Sequence, residues 1–168
     1  ILSTYLAIYG REEIGAAANS ALFFVIMAIG LISSRLAAGR MLDHGYIVKS
    51  IFWGMVCCLL GYAVFIELTL PVGYYTAAFI LGIGYGTICS AFQAMFISMA
   101  PNSRRGTANS SYLTSWDLGV GLGVFIGGYI AEVSSYGTAY RWAWVVSLMG
   151  LFLFAFVVRK HYAQNKLE

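Results

Sequence analysis

Long stretches without a charged residue constrain this chain more than any other feature. Arg, Lys, Asp and Glu are absent from residues 14–34, 50–66, 68–103 and 142–158, and Asp117 alone interrupts residues 106–131. A helix needs about 20 mostly apolar residues to cross a bilayer. Charged residues make up 10% of the chain and hydrophobic residues 60%, against roughly 25% and 45–50% in soluble domains. This composition argues against a soluble enzyme, a nucleic-acid binder or a secreted disulfide scaffold.

We therefore predict an all-α, polytopic transmembrane helix bundle. The predicted spans lie at about 17–38, 48–68, 72–100, 108–132 and 141–159. Pro71 and Pro101 bracket the long third span, where proline suits helix ends better than a helix interior. Residues 1–10 are apolar but too short to cross alone, which predicts five full spans, the end of a sixth, and a chain that is a piece of a longer protein. Barrel strands would alternate in polarity, and residues 23–32 do not.

The positive charges predict the orientation. Three alternate connecting or terminal segments contain eight of the ten basic residues: Arg35, Arg40, Lys49, Arg104, Arg105, Arg159, Lys160 and Lys166. The other segments contain only Arg11 and Arg141. Short cytoplasmic segments are rich in Lys and Arg, so we expect a cytoplasmic C-terminus and a multi-pass protein of the plasma (inner) membrane.

The nucleophilic and metal-binding residue types form no recognisable site. All three cysteines, Cys57, Cys58 and Cys89, lie inside apolar runs, and His44 and His161 stand among polar residues outside them. No Cys/His spacing is typical of a metal site. We expect no catalytic residue, metal, cofactor or nucleic-acid partner.

The third span presents a stripe of small and polar residues at helical spacing. It consists of Gly82, Gly86, Cys89, Ser90 and Gln93. Small residues allow helix backbones to approach closely in lipid, so one hypothesis is helix packing at Gly82 and Gly86. The other is a cavity wall with Gln93 as a hydrogen-bonding group.

The fourth span presents two stripes on nearly opposite faces. Gly119, Gly123 and Gly127 recur every four residues, which is typical of close helix packing. The more polar stripe contains the substrate-cavity candidates Ser110, Thr114, Asp117 and Gly121. An acid within a span is a candidate functional residue because charge is costly in the bilayer. Either Asp117 handles substrate or protons, or it is a structural acid that pairs with Arg104 or Arg105.

The segment 35–49 contains a candidate ionic latch. Its members are Arg35, Gly39, Arg40, Asp43 and Gly45. We expect Asp43 to lie near the start of the next helix, where its carboxylate can accept from backbone N–H groups and from the two arginines. The alternative is a set of solvated charges that only mark topology.

These residues resemble motifs of the major facilitator superfamily. Gly39-Arg-Met-Leu-Asp43-His-Gly45 is similar to that family's Gly-x-x-x-Asp-(Arg/Lys)-x-Gly loop signature, with one residue fewer between Asp43 and Gly45 and without the basic pair that follows. Pro101-Asn-Ser-Arg104-Arg105-Gly106, followed by Asp117-Leu-Gly, resembles the junction of helices ten and eleven in bacterial efflux-type members. The resemblance covers the whole chain as helices seven to twelve, the C-terminal half.

The resemblance implies a secondary active permease of the efflux type that moves small solutes by alternating access between two halves, with proton coupling left open. It implies that helices seven, eight, ten and eleven line the cavity and that nine and twelve face lipid. Its partners are then a small solute, the lipid bilayer and the N-terminal half, which is absent here. The alternatives are a non-transporting assembly or sensor module and, with less support, a membrane-embedded enzyme.

Overall fold

The computed structural model describes residues 5, 6, 9, 10, 19–68 and 70–166, and this part of the chain is almost entirely helical. The long helices are α1 (Ser20–Asp43), α2 (Ile47–Glu67), α3 (Pro71–Ser98), α4 (Arg105–Val133) and α5 (Tyr136–Leu153). A 3-10 turn (Asn102–Arg104) precedes α4. A π-helical turn (Phe154–Val158) continues α5 into the short α6 (Arg159–Asn165). The predicted all-α fold class is confirmed.

Five segments of the described chain are long and apolar enough to cross a membrane. They are Ser20–Asp43, Ile47–Glu67, Pro71–Ser98, Asn102–Val133 and Tyr136–Asn165. Since consecutive spans run in opposite directions, the connections at 44–46 and 99–101 and the end of α6 lie at one end of the bundle. We call it the basic end, because Lys49, Arg105 and Arg159 lie close to it. Residues 1–10 were predicted to end a sixth span and lie mostly outside the described residues.

Local sequence signals set the helix ends. The Asn19 side chain accepts from the backbone N–H of Leu22 at 3.1 Å and caps α1, and Ser135 caps α5 by accepting from Thr138 N–H at 3.1 Å. Pro71 occupies the first turn of α3, where a missing N–H costs nothing. These polar caps satisfy backbone donors that a helix cannot satisfy internally.

The helix α3 packs against both α1 and α2 along glycine-rich faces. Gly54 of α2 lies against Thr87 and the side chain and backbone of Ile88, and Gly84 of α3 lies against the side chain and backbone of Cys58. Such contacts bring helix axes close enough for extensive van der Waals packing, which is a main attraction between helices in lipid. The three helices therefore form the firmest part of the bundle.

Two hydrophobic clusters lie at opposite ends of the bundle. The one away from the basic end is aromatic: Phe23, Phe65 and Tyr140 are at most 1% exposed, and the Phe65 and Tyr140 rings stack edge to face with centroids 5.1 Å apart. Tyr9 joins this cluster. The cluster near the basic end is smaller and centres on Ile51 and Phe154. Packing therefore loosens toward the basic end.

Candidate functional site

A polar cluster joins α1, α3 and α4 a few turns inside the basic end. Gln93 Nε2 donates to Asn109 Oδ1 at 2.8 Å, and Tyr112 Oη donates to the Cys89 carbonyl at 3.1 Å. The Arg35 guanidinium from α1 lies beside the Cys89 thiol. We call these five residues the inner polar cluster. It places an amide pair, a phenol and a cation on adjoining faces of three helices.

The sequence identified only part of this cluster. Gln93 was a cavity candidate and Arg35 a latch candidate, but Asn109 and Tyr112 were not selected. A signal for them existed: Asn109 and Tyr112 are three residues apart, and residues at that spacing share a helix face. Neither residue carries a charge, so the charge pattern of the sequence does not distinguish them. The cluster also shows that Gln93 has a side-chain partner, as a polar group at this depth requires.

The small-residue stripe of α3 divides into two parts. Gly82 and Gly86 are buried against α1, where a Cβ would meet backbone atoms of Met27 and Leu31 and the Ser34 hydroxyl. Toward the basic end, Cys89 and Gln93 make the polar contacts with α4 described above. Thus one part of the stripe packs against α1, and the next part forms hydrogen bonds with α4.

The polar stripe of α4 points away from the described bundle. Ser110, Thr114, Asp117 and Gly121 are all exposed. The Ser110 hydroxyl donates to the Gly106 carbonyl of its own helix at 3.1 Å, whereas Asp117 makes no hydrogen bond or ion pair with any described residue. At 1.5 Å per residue, Asp117 lies about 18 Å along a helix about 43 Å long. A carboxylate is thus presented within a membrane-spanning segment.

The alternative pairing of Asp117 with Arg104 or Arg105 is wrong. The structure places these arginines not in a loop but in the 3-10 turn and at the first residue of α4. Twelve residues of helix, about 18 Å, separate Arg105 from Asp117, which is more than an arginine side chain spans. Both arginines are exposed, and Gly106 has open space around its Cα.

The predicted close packing at Gly119 and Gly123 is not present in the described chain. A Cβ at either position, or at Gly121, would meet no atom within 4 Å. Among the described residues, contacts on this side of α4 lie near the end away from the basic end, where Gly127 is buried and Tyr5 Oη donates to the Val124 carbonyl at 3.1 Å. The spacing of small residues indicates which face can approach a helix closely, but the close contact also requires a neighbouring helix.

The latch geometry is also wrong in its details. Asp43 is the last residue of α1, not a residue at the start of α2, and Tyr46, which precedes α2, caps it with no side-chain bond. Arg35 and Arg40 are helical, and in the described part of the chain neither forms an ion pair with Asp43. The charge-based boundary near residue 38 misplaced the end of α1, because the helix continues through these charged residues.

A backbone motif closes the turn after α1. Gly45 has φ +77°, Tyr46 N–H donates to the Met41 carbonyl at 3.0 Å, and Gly45 N–H donates to the Leu42 carbonyl at 2.9 Å. These two bonds form a Schellman motif, in which glycine takes the left-handed position. The His44 ring also contacts the Arg40 carbonyl through Nδ1 at 2.6 Å. Gly39, a latch candidate, is helical with nothing within 4 Å of a Cβ.

Comparison with known proteins agrees with this architecture. The family model described as Major Facilitator Superfamily matches residues 1–167. No curated protein and no solved structure matches the chain. The family match spans nearly the whole chain and coincides with five membrane-spanning helices. The chain therefore belongs to the major facilitator superfamily, a family of membrane transporters, and is a multi-pass membrane protein.

Proposed function

We propose that this chain forms the C-terminal six-helix half of a secondary transporter that moves small solutes by alternating access. In folds built from two repeats, the substrate site lies near the bilayer midplane at the interface between them. In this proposal, the polar stripe of α4 and the inner polar cluster line that path, and α2 and α5 face lipid.

The exposed carboxylate of Asp117 is the observation that carries the proposal. It shares a helix face with Ser110, Thr114 and Gly121, and all four are exposed. Polar groups at membrane depth are tolerated where they face protein or a water-filled cavity, and charged ones mark pathways for substrates and protons. A face of this kind suits a solute path better than contact with acyl chains.

The positions of charged residues support a more specific proposal for the solute, the coupling ion and the orientation in the membrane. A carboxylate on the path favours a cationic solute, a proton or both, which supports proton-coupled efflux by antiport. The basic residues Arg40, Lys49 and Lys160 lie near one end of the bundle, so the positive-inside rule supports a cytoplasmic basic end and a cytoplasmic C-terminus in the plasma membrane.

The open glycine surface of α4 supports a larger assembly. Gly119 and Gly123 keep a smooth face on which no described residue packs. In the proposed transporter this face packs against a further helix of the assembly, in line with Tyr5, which already contacts Val124 and Gly128. The polar stripe then remains free to face the N-terminal half.

Cysteine accessibility in the natural full-length protein tests the proposal. Cys57, Cys58 and Cys89 are first replaced, and single variants Ser110→Cys, Thr114→Cys and Gly121→Cys are then treated with a charged, membrane-impermeant thiol reagent. The matched control is Phe156→Cys, a side chain that is 72% exposed within the last span.

We expect the three stripe positions to react and Phe156→Cys to stay unmodified, because acyl chains exclude a charged reagent. A solute of the transporter should slow the modification of the stripe positions. Stripe cysteines as unreactive as Phe156→Cys would show that this face contacts lipid or protein, and would contradict the proposed path.

A further inference from the structure

A groove opens at the basic end, between the start of α2 and the π-helical turn with α6. Its volume is about 510 Å³, within the range of small-molecule sites. The α2 side contributes Tyr46, Lys49, Phe52 and Trp53, and the other side contributes Phe154, Arg159, Tyr162, Ala163 and Lys166, among others. We call it the basic groove. Neither the inner polar cluster nor the polar stripe of α4 contributes a residue to it.

The mouth of the groove is positively charged. Lys49, Arg159 and Lys166 line it, and the described residues that line it include no acid. Lys49 Nζ lies 4.8 Å from the centre of the Tyr46 ring, a cation–π contact that holds the ammonium at the groove. The groove thus carries three cations where an anion can reach them.

The interior of the groove is apolar, and part of its wall is buried. Phe154 is 2% exposed and belongs to the buried cluster near the basic end, and the Tyr162 hydroxyl lies 3.2 Å from the Ser98 hydroxyl. Phe52 and Trp53 line the α2 side, and Trp53 is 60% exposed. Trp53 lies about 9 Å along α2 from Ile47, and tryptophan is enriched at membrane–water interfaces.

The π-helical turn arranges the second wall. Arg159 N–H donates to the Phe154 carbonyl, five residues earlier. In an α-helix, residues five apart point about 140° away from each other. The wider π-helical turn brings them toward one face, so Phe154 and Arg159 both line the groove. Such turns occur frequently at functional sites.

We propose that the basic groove binds the phosphate-bearing headgroup of an anionic phospholipid from the leaflet at the basic end. The three cations match the headgroup charge, and the aromatic residues below them match the glycerol and first acyl carbons. A free phosphate compound would leave these exposed aromatic side chains in contact with bilayer lipid, whereas a phospholipid uses both halves of the groove. Basic pockets between membrane helices are suited to such headgroups.

Native mass spectrometry of the natural full-length protein tests this assignment, with phosphatidylglycerol, phosphatidylcholine and inorganic phosphate as probes. The test variant is Arg159→Gln and the matched control is Lys160→Gln, which removes the same charge from the neighbouring exposed residue outside the groove. A basic residue near the surface contributes about fivefold to the affinity for anionic lipid. We expect Arg159→Gln to weaken phosphatidylglycerol binding about fivefold, and Lys160→Gln to leave it nearly unchanged.

Two further variants separate a defined site from general charge. Arg159→Lys keeps the cation and should retain most of the binding. Ala163→Trp fills the groove without a change of charge and should weaken phosphatidylglycerol binding at least as much as Arg159→Gln. Equal losses in Arg159→Gln and Lys160→Gln, equal binding of phosphatidylcholine, or full binding by Ala163→Trp would each overturn the proposal. Inorganic phosphate that competes fully with the lipid would do so as well.

Discussion

The glycine stripes of α3 and α4 look alike in sequence and differ in the structure. Gly82 and Gly86 bring α3 against the backbone of α1, and a methyl group at either position would meet Met27 or Leu31. Gly119 and Gly123 have the same spacing of four, and a methyl group there would meet nothing within 4 Å. The spacing of four therefore indicates only that a helix face allows another helix to approach closely. Whether the contact forms depends on a neighbouring helix.

The largest effect should come from a bulky side chain at the buried stripe. In Gly82→Leu the new atoms meet the Met27 carbonyl and the Leu31 N–H, which belong to a helix backbone and cannot shift aside. We expect no folded protein in detergent by fluorescence-detected size exclusion. Gly82→Ala should lower the free energy of unfolding by about 3 kcal/mol.

The matched control is Gly121→Ala on α4, where the space is open. It should be neutral or stabilising by up to about 1 kcal/mol, because alanine is the better helix former. Equal destabilisation by Gly82→Ala and Gly121→Ala would show that the glycines of α3 and α4 do not differ in how closely they are packed.

The second largest effect should be on transport, at the exposed face of α4. Asp117→Asn keeps the shape of the side chain and removes its charge. We therefore expect loss of the transport of cations or protons, while the fold is retained. We expect accumulation of ethidium, a fluorescent cation used here as the probe, to rise to the level of cells without the transporter. Expression should be unchanged.

Ser115→Ala is the control for Asp117→Asn, since the Ser115 hydroxyl only donates to the Ser111 carbonyl of its own helix at 2.8 Å. It should transport normally. If full-length protein with Asp117→Asn exports a demonstrated substrate at the original rate and pH dependence, Asp117 has no role in coupling or recognition.

Charge-free length and apolar composition were enough to predict the fold class and five spans, because the bilayer imposes length and apolarity on each helix separately. The contacts between helices were harder to predict. Asn109 and Tyr112 carry no charge, and their partners Gln93 and Cys89 come from another helix. Asp43 was misplaced because charged residues can extend a helix past the membrane. Pairings of this kind depend on the relative rotation of two helices, which the pattern of a single helix does not specify.

A smaller effect on stability is expected at Gly45, where the backbone conformation requires glycine, than at the buried stripe of α3. Gly39, which lies in a helix with open space around it, is the control. Gly45 and Gly39 both have room for a Cβ, but Gly45 has φ +77°. An alanine there takes a left-handed conformation that costs about 1–2 kcal/mol. We therefore expect Gly45→Ala to lower thermal stability and Gly39→Ala, in a helix, to raise it slightly. A lower stability for Gly39→Ala than for Gly45→Ala would contradict the Schellman motif as the determinant of this turn.

The smallest predicted effect concerns the place where the two compared helices meet. Gln93 of α3 and Asn109 of α4 form a direct side-chain hydrogen bond of 2.8 Å. Between membrane helices such bonds contribute about 0.6 kcal/mol on average. A double-mutant cycle with Gln93→Ala and Asn109→Ala should give a coupling free energy of about that size in unfolding measurements.

A parallel cycle with Gln93→Ala and Ser111→Ala is the control, because Ser111 donates to the Thr107 carbonyl within α4 at 3.0 Å and should show no coupling to Gln93. Equal coupling in both cycles would mean that the measured energy reflects a general loosening of α4. Coupling confined to Asn109 would show that α4 is attached to α3 by polar contacts near the basic end, where no described residue packs on its glycine stripe.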